Sequence, residues 1–150
     1  MVPTEQRPLL MAEDDDNDVY FFERALRQAN IARALHRVKD GEEAISYLRG
    51  EGKFENREEF PLPRVLLLDL KMPRKNGFEV IQWVRQQPGL KRLPIVVLTS
   101  SREDPDVNRA YELGANTYLV KPVKFESLVE MITVLNQFWL GLAEQPDIAG

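Results

Sequence analysis

The 150 residues are 43% apolar, carry a net charge of −4 and include no cysteine. That length and apolar content suit one domain with a real core, and the acidic balance argues against general affinity for nucleic acid. Disulfides and thiolate metal sites are excluded, no apolar run reaches membrane-span length, and MVPTEQRP lacks a signal-peptide stretch, so a cytoplasmic protein without a membrane partner is expected.

Residues 9–12 (LLMA) read as a buried strand. Val19, Phe22, Leu26 and Ala29 recur at helical spacing and predict a helix over 17–29. A short strand follows at 34–38, then a helix at 42–48 with Ala44, Ile45 and Leu48 on one face. Residues 49–63 (RGEGKFENREEFPLP) read as a polar surface loop, barred from strand by Pro61 and Pro63. Residues 65–68 predict a strongly apolar strand, and 78–85 a helix with Phe78, Ile81 and Val84 turned inward. LPIVVL at 93–98 is a fourth strand. A helix over 107–113 starts near Asp104-Pro105 and stops at Gly114, both ordinary helix punctuation. A fifth strand covers 117–120, and the longest helix runs from 125 to about 142. Five strands alternating with five helices imply an α/β fold, a doubly wound parallel sheet covered on both faces. In such sheets the working crevice lies beyond the carboxyl ends of the strands.

Those strand ends carry chemistry. The first ends at Glu13 and Asp14, the third at Asp69, the fourth at Thr99 and the fifth at Lys121-Pro122. Asp15, Asp16 and Asp18 open the first helix, where capping and the helix dipole account for acid; Glu13 and Asp14 precede it and need another reason. Taken singly, an Asp after a strand, a terminal Thr or a Lys-Pro turn is commonplace. Jointly they bring Glu13, Asp14 and Asp69 to one edge, where three carboxylates repel unless a cation joins them. Lys121 is one candidate cation. The other is a divalent ion, and an all-oxygen site with few ligands suits Mg2+ keeping several waters. A carboxylate so placed can attack a phosphoryl group, with Lys121 pairing one phosphoryl oxygen and the Thr99 hydroxyl another.

Rival chemistries fit less well. A dehalogenase-type phosphatase needs D-x-D-x-T after its first strand, and AEDDDND offers Asp14, Asp16 and Asp18 without that Thr. A calcium loop at Asp14 lacks the required Gly, replaced by Val19, and the closing Glu, replaced by Ala25. A nucleotide site lacks a Gly-rich phosphate loop. An inert binding module would have little use for the full set of site residues. His36, the single histidine, reads as a structural or surface residue.

The segments LLMAEDD, DGEEA, VLLLDLKMPRKNG, IVVLTSS and ELGANTYLVKP resemble the receiver domain of bacterial two-component response regulators, of the chemotaxis-regulator type, from about residue 8 to 140. The resemblance implies a flavodoxin-like sheet in the order 2-1-3-4-5. It implies that Asp69 accepts a phosphoryl group from a sensor histidine kinase. Asp14 and Asp69 would hold Mg2+ or Mn2+ directly, Glu13 through water, and Lys71 by its backbone carbonyl. Thr99 and Lys121 would bind the phosphoryl group, the Lys121–Pro122 bond would be cis, and Tyr118 would be the aromatic switch that turns inward as Thr99 moves. Glu13 stands where Asp is commoner in the family, and Lys71 and Ser101 lie where side chains influence water access. The expected protein is a single receiver domain over 1–150 with no output domain, a signalling component and not an enzyme.

Leu128, Met131, Ile132, Leu135, Trp139 and Leu142 share one face of the last helix, Val134 and Phe138 widen it, and Val129 and Leu140 fall opposite. So broad an apolar arc predicts a homodimer through the fourth helix, fifth strand, fifth helix and carboxyl-terminal tail; the alternative is a tail folded back over its own domain. The 49–63 loop and the NQFWLGL ending further resemble the single-domain regulators that serve bacterial phytochromes.

Overall fold

The computed structural model describes residues 3 and 6–149. Strands β1 (Leu9–Ala12), β2 (Leu35–Val38), β3 (Val65–Leu68), β4 (Ile95–Thr99) and β5 (Thr117–Val120) alternate with helices α1 (Asp16–Gln28), α2 (Gly41–Arg49), α3 (Gly77–Gln86), α4 (Asp104–Leu113) and α5 (Phe125–Gln137). The strands form one parallel sheet in the order β2-β1-β3-β4-β5. The order reverses between β1 and β3, whose neighbouring tips therefore flank the crevice.

The short apolar runs are two-sided. Leu10, Leu66, Leu68, Ile95 and Val97 pack into a core with α2, α3 and α4. Leu9, Met11, Val65, Leu67 and Val96 pack into a second core with α1 and α5. Successive strand residues point to opposite faces, so covering both faces makes the central strands β1, β3 and β4 read as almost continuously apolar, whereas the edge strands β2 and β5 are half-buried.

The helix ends carry the expected punctuation. Asp15 caps α1, Asp40 caps α2, and Asn76 and Glu79 form a reciprocal capping box on α3. Helix α4 begins at Asp104, earlier than its apolar spacing predicts, because Pro105 suits the first turn. Strand β4 begins at Ile95, not 93. Among the described residues no helix is long and apolar enough to cross a membrane.

Two segments depart from the sequence reading. The 49–63 stretch is a packed flap. Phe54 and Leu62 are buried, and Tyr47, Phe54, Phe60 and His36 contact one another ring to ring. Arg57 donates to the carbonyls of Tyr47 (2.8 Å), Leu48 (2.7 Å) and Phe60 (3.1 Å). Two of these are last-turn carbonyls of α2: that of Tyr47 also accepts the Gly50 amide (3.0 Å), and that of Leu48 lies beyond the reach of the helix's own amides. The aromatic residues scattered among the flap's exposed charges anchor it to the domain, which no periodic pattern signals.

The last helix also differs. After Gln137 the chain widens into a π-helical turn, Phe138–Leu142. The extra residue per turn rotates the side chains beyond it about the helix axis. Leu140 thereby packs on the second core, whereas Leu142 is exposed, the reverse of the expectation. Val129 also faces that core, and Val134 and Phe138 are exposed. The tail then returns over its own domain: Ile148 packs on the first core, and the Ala149 amide donates to the Gly89 carbonyl (2.6 Å).

Candidate functional site

Backbone pairing continues past the strands and sets the site. The Glu13 amide donates to the Val38 carbonyl (3.0 Å), and the Asp69 amide donates to the Ala12 carbonyl (3.1 Å). Glu13 and Asp69 are thus fixed on adjacent strand tips. The loop after Asp69 turns back tightly. Arg74 and Lys75 adopt left-handed backbone (φ 52° and 100°), and Gly77 brings α3 against the site. A Cβ at Gly77 would collide with the Asp69 carbonyl oxygen and lie 2.8 Å from Leu70 Cα. From the other side Asp40 grips this loop, accepting from Arg74 Nε (2.9 Å) and Nη2 (2.7 Å).

Glu13, Asp14 and Asp69 each offer an oxygen, all within 4.8 Å of one another. Glu13 is 1% and Asp69 7% exposed, whereas Asp14 faces solvent. The Lys121 ammonium lies over the cluster, 2.6 Å from Glu13 Oε1, 2.9 Å from Asp69 Oδ2 and 2.7 Å from Asp18 Oδ2. Glu13 Oε2 also accepts from the Asp15 amide (3.1 Å), and Asp69 Oδ1 from the Lys71 amide (3.4 Å).

Charge and burial act against each other here. Burial pushes the Glu13 carboxyl up to about 7; the Lys121 hydrogen bond pulls it down, while the Asp69 charge pushes the same way as burial. Burial pulls the Lys121 ammonium down, but its hydrogen bonds to Asp18, Glu13 and Asp69 outweigh that and hold it above the ordinary lysine range. Four carboxylates around one ammonium leave excess negative charge. Oxygen donors alone and an exposed side at Asp14 fit a hard divalent cation that retains water.

Thr99 is fully buried, and its Oγ1 has no hydrogen-bond partner among the described residues. An orphaned buried hydroxyl is costly, and this one is available to donate to an oxygen brought to the strand edge. Behind it, the half-buried Tyr118 donates its hydroxyl to the Ser101 carbonyl (3.0 Å), and Ser101 Oγ donates to Asp106 Oδ2 (2.6 Å). Burial raises the Tyr118 phenol, and nearby Asp106, Asp69 and Glu103 add to this against the Ser101 hydrogen bond.

Glu13, Asp14, Asp69 and Lys121 meet at this edge, Thr99 ends β4 beside them and Tyr118 lies behind it, and the Lys71 amide reaches Asp69 Oδ1. One expectation is overturned. The Lys121–Pro122 bond is trans. Trans is the favoured isomer by about 0.5–1 kcal/mol, and the Lys121 amide donates to the Thr99 carbonyl (2.8 Å), carrying the β5 ladder straight off the sheet. One participant was missed. Asp18, assigned to the helix terminus, binds Lys121 instead; its spacing in the first turn of α1 does not set it apart from Asp16. His36 is structural. The Tyr47 hydroxyl gives its proton to the Pro61 carbonyl (2.8 Å), so His36 Nδ1, 2.8 Å away, is the donor in that contact.

A doubly wound parallel sheet with an acid cluster, a lysine and a buried hydroxyl at its carboxyl edge defines a phosphoacceptor-type signalling domain. The response regulator receiver domain model matches residues 9–133, and the chain belongs to that family of two-component regulators. It is 37% identical over 138 residues to the response regulator Rcp1 of Synechocystis sp., covering 92% of each chain. The Mn2+-bound crystal structure of Rcp1 superposes with a TM-score of 0.82 at 36% identity, covering 93% of this chain and 99% of that one. A response regulator in red light signalling of R. palustris superposes with a TM-score of 0.89 at 36% identity, covering 93% and 98%. The phosphorylated cyanobacterial phytochrome response regulator RcpA gives 0.86 at 33% identity, covering 95% and 99%.

Proposed function

We propose that Asp69 is the phosphoacceptor of this receiver domain, taking the phosphoryl group from a phosphohistidine of a sensor histidine kinase. The supporting observation is the unpartnered Thr99 hydroxyl at the same strand edge as the Asp69–Lys121 pair. A carboxylate oxygen of Asp69 forms the new bond to phosphorus as the phosphorus–nitrogen bond breaks. The electron pair of that bond leaves with the imidazole. Lys121 exchanges its bond to Asp69 for one to a phosphoryl oxygen, and the Thr99 hydroxyl donates to another. Asp14, Asp69 and the Lys71 carbonyl would hold Mg2+, or Mn2+, with Glu13 assisting through water. The ion supplies positive charge to the incoming oxygens.

Drawing Thr99 toward the phosphoryl group empties space behind it, and Tyr118 turns further inward in exchange for its Ser101 bond. That population shift alters the face made by α4, β5 and α5. The exposed Tyr111, Val134, Phe138 and Leu142 on and after these helices suit a second copy of the chain, so a homodimer forms there. A kinase of phytochrome type is the favoured donor, because two of the matched structures are described in terms of red light or phytochrome signalling. The test of the central claim is intact mass after incubation with acetyl phosphate and Mg2+. Addition of one phosphoryl group, lost in Asp69→Asn, is expected; an unchanged mass with both acetyl phosphate and a phosphorylated kinase overturns it. Sedimentation showing a monomer at high concentration in both states removes the dimer.

A further inference from the structure

Lys121 makes three short contacts to carboxylates: those to Asp18 and Asp69 have hydrogen-bond geometry, and that to Glu13 is an ion pair. Two of them, Glu13 and Asp69, belong to the acid cluster itself. The third, Asp18, comes from the first turn of α1 and is 103 residues away in sequence. An acid in that turn ordinarily serves the helix terminus, but here that duty is already filled. Asp15 Oδ1 accepts from the amides of both Asn17 (2.8 Å) and Asp18 (3.4 Å). The Asp18 carboxylate is free to turn away from its own helix, and it points to Lys121.

We propose that Asp18 is a positioning residue for Lys121, anchoring the ammonium where the phosphoryl group arrives. The inference deepens the phosphoacceptor reading and rests on it. Any change at Asp69 takes away one of the three contacts of Lys121. A cation recruited by Glu13 weakens a second. The Asp18 contact is the one that neither event uses, since Asp18 lies outside the set of oxygens that converge on a cation. Without it, the long lysine stem regains rotamers at the step where its direction matters, and an oriented charge becomes a loosely tethered one. The phosphoryl transfer itself is unchanged: with acetyl phosphate, the bond from Asp69 oxygen to phosphorus forms as the acetyl-oxygen bond to phosphorus breaks, and acetate leaves with the electron pair.

The test compares wild type with D18A, D18N and D18E. Three quantities are measured: phosphorylation rate with acetyl phosphate at saturating Mg2+, affinity for beryllium fluoride as a phosphoryl stand-in, and affinity for Mg2+ alone by calorimetry. A charge-assisted hydrogen bond that is partly exposed predicts a loss of about three- to tenfold in rate and in beryllium fluoride affinity for D18A. D18N should lie between, because its amide oxygen still accepts, and D18E should recover most of the loss. Mg2+ affinity should change by less than about twofold and the melting temperature little, which separates positioning from loss of the metal site or of the fold. A D18A protein that is phosphorylated at or above the wild-type rate overturns the role of Asp18 alone. Wild type that takes up neither phosphoryl group nor beryllium fluoride overturns the acceptor reading, and this inference with it.

Discussion

Thr99→Val separates stability from function at one atom. The hydroxyl of Thr99 is fully buried and makes no hydrogen bond among the described residues. Leaving such a group unsatisfied costs about 1–3 kcal/mol. Valine keeps the branched shape on β4, whose neighbours on the strand are all buried and apolar, and removes the polar atom. The expected gain in unfolding free energy is about 1–2 kcal/mol, taking the lower part of that range because the new methyl must fit a space made for oxygen. For a chain of this size that is a rise in melting temperature of about 2–8 °C. The assay is thermal and urea unfolding without divalent metal, alongside phosphoryl retention after acetyl phosphate treatment. Retention should fall, because the donor to one phosphoryl oxygen is gone. A Thr99→Val protein destabilised by about 1 kcal/mol or more would refute the reasoning, since it would mean that the hydroxyl already has a partner in the resting protein.

Gly77→Ala should destabilise by about 2 kcal/mol or more, seen as a lower urea midpoint, and should slow phosphorylation, because the new methyl meets the backbone of Asp69 and Leu70 and not a movable side chain. Arg57→Ala should cost about 2–4 kcal/mol in urea unfolding, since three carbonyls lose a charged donor. Burial holds the His36 imidazole below its ordinary 6.5, against a smaller upward pull from Glu59. Its contribution to stability is therefore complete above pH 6.5 and declines as pH falls from there to the folded value, so His36→Gln should flatten that part of the stability profile. Mg2+ at ten times its dissociation constant should raise unfolding free energy by about 1.4 kcal/mol, and chelation or Asp14→Asn should abolish the increment.

Local chemistry wrote much of this protein into its sequence. Two-sided burial makes the central strands almost continuously apolar, so LLMA, VLLL and IVVL announce themselves; caps and Gly114 mark helix ends within a few residues. Because every strand of a parallel sheet points the same way, acids, Thr99 and Lys121 at the strand ends had to share an edge. The partners chosen in the tertiary structure depend on rotation and contact, which periodicity does not encode. Asp15, Asp16 and Asp18 look alike as first-turn acids. Packing of α1 turns Asp15 onto the helix amides, Asp16 to Arg37 (2.8 Å) and Asp18 to Lys121. The 49–63 flap is held by aromatic contacts and by Arg57 on a helix end that only the fold brings near. A single π-helical turn exchanges the environments of Leu140 and Leu142, since adding a residue to one turn shifts the phase of the later positions. Sequence supplied the groups and the edge they occupy; the angle at which each helix lies against the sheet chose their partners.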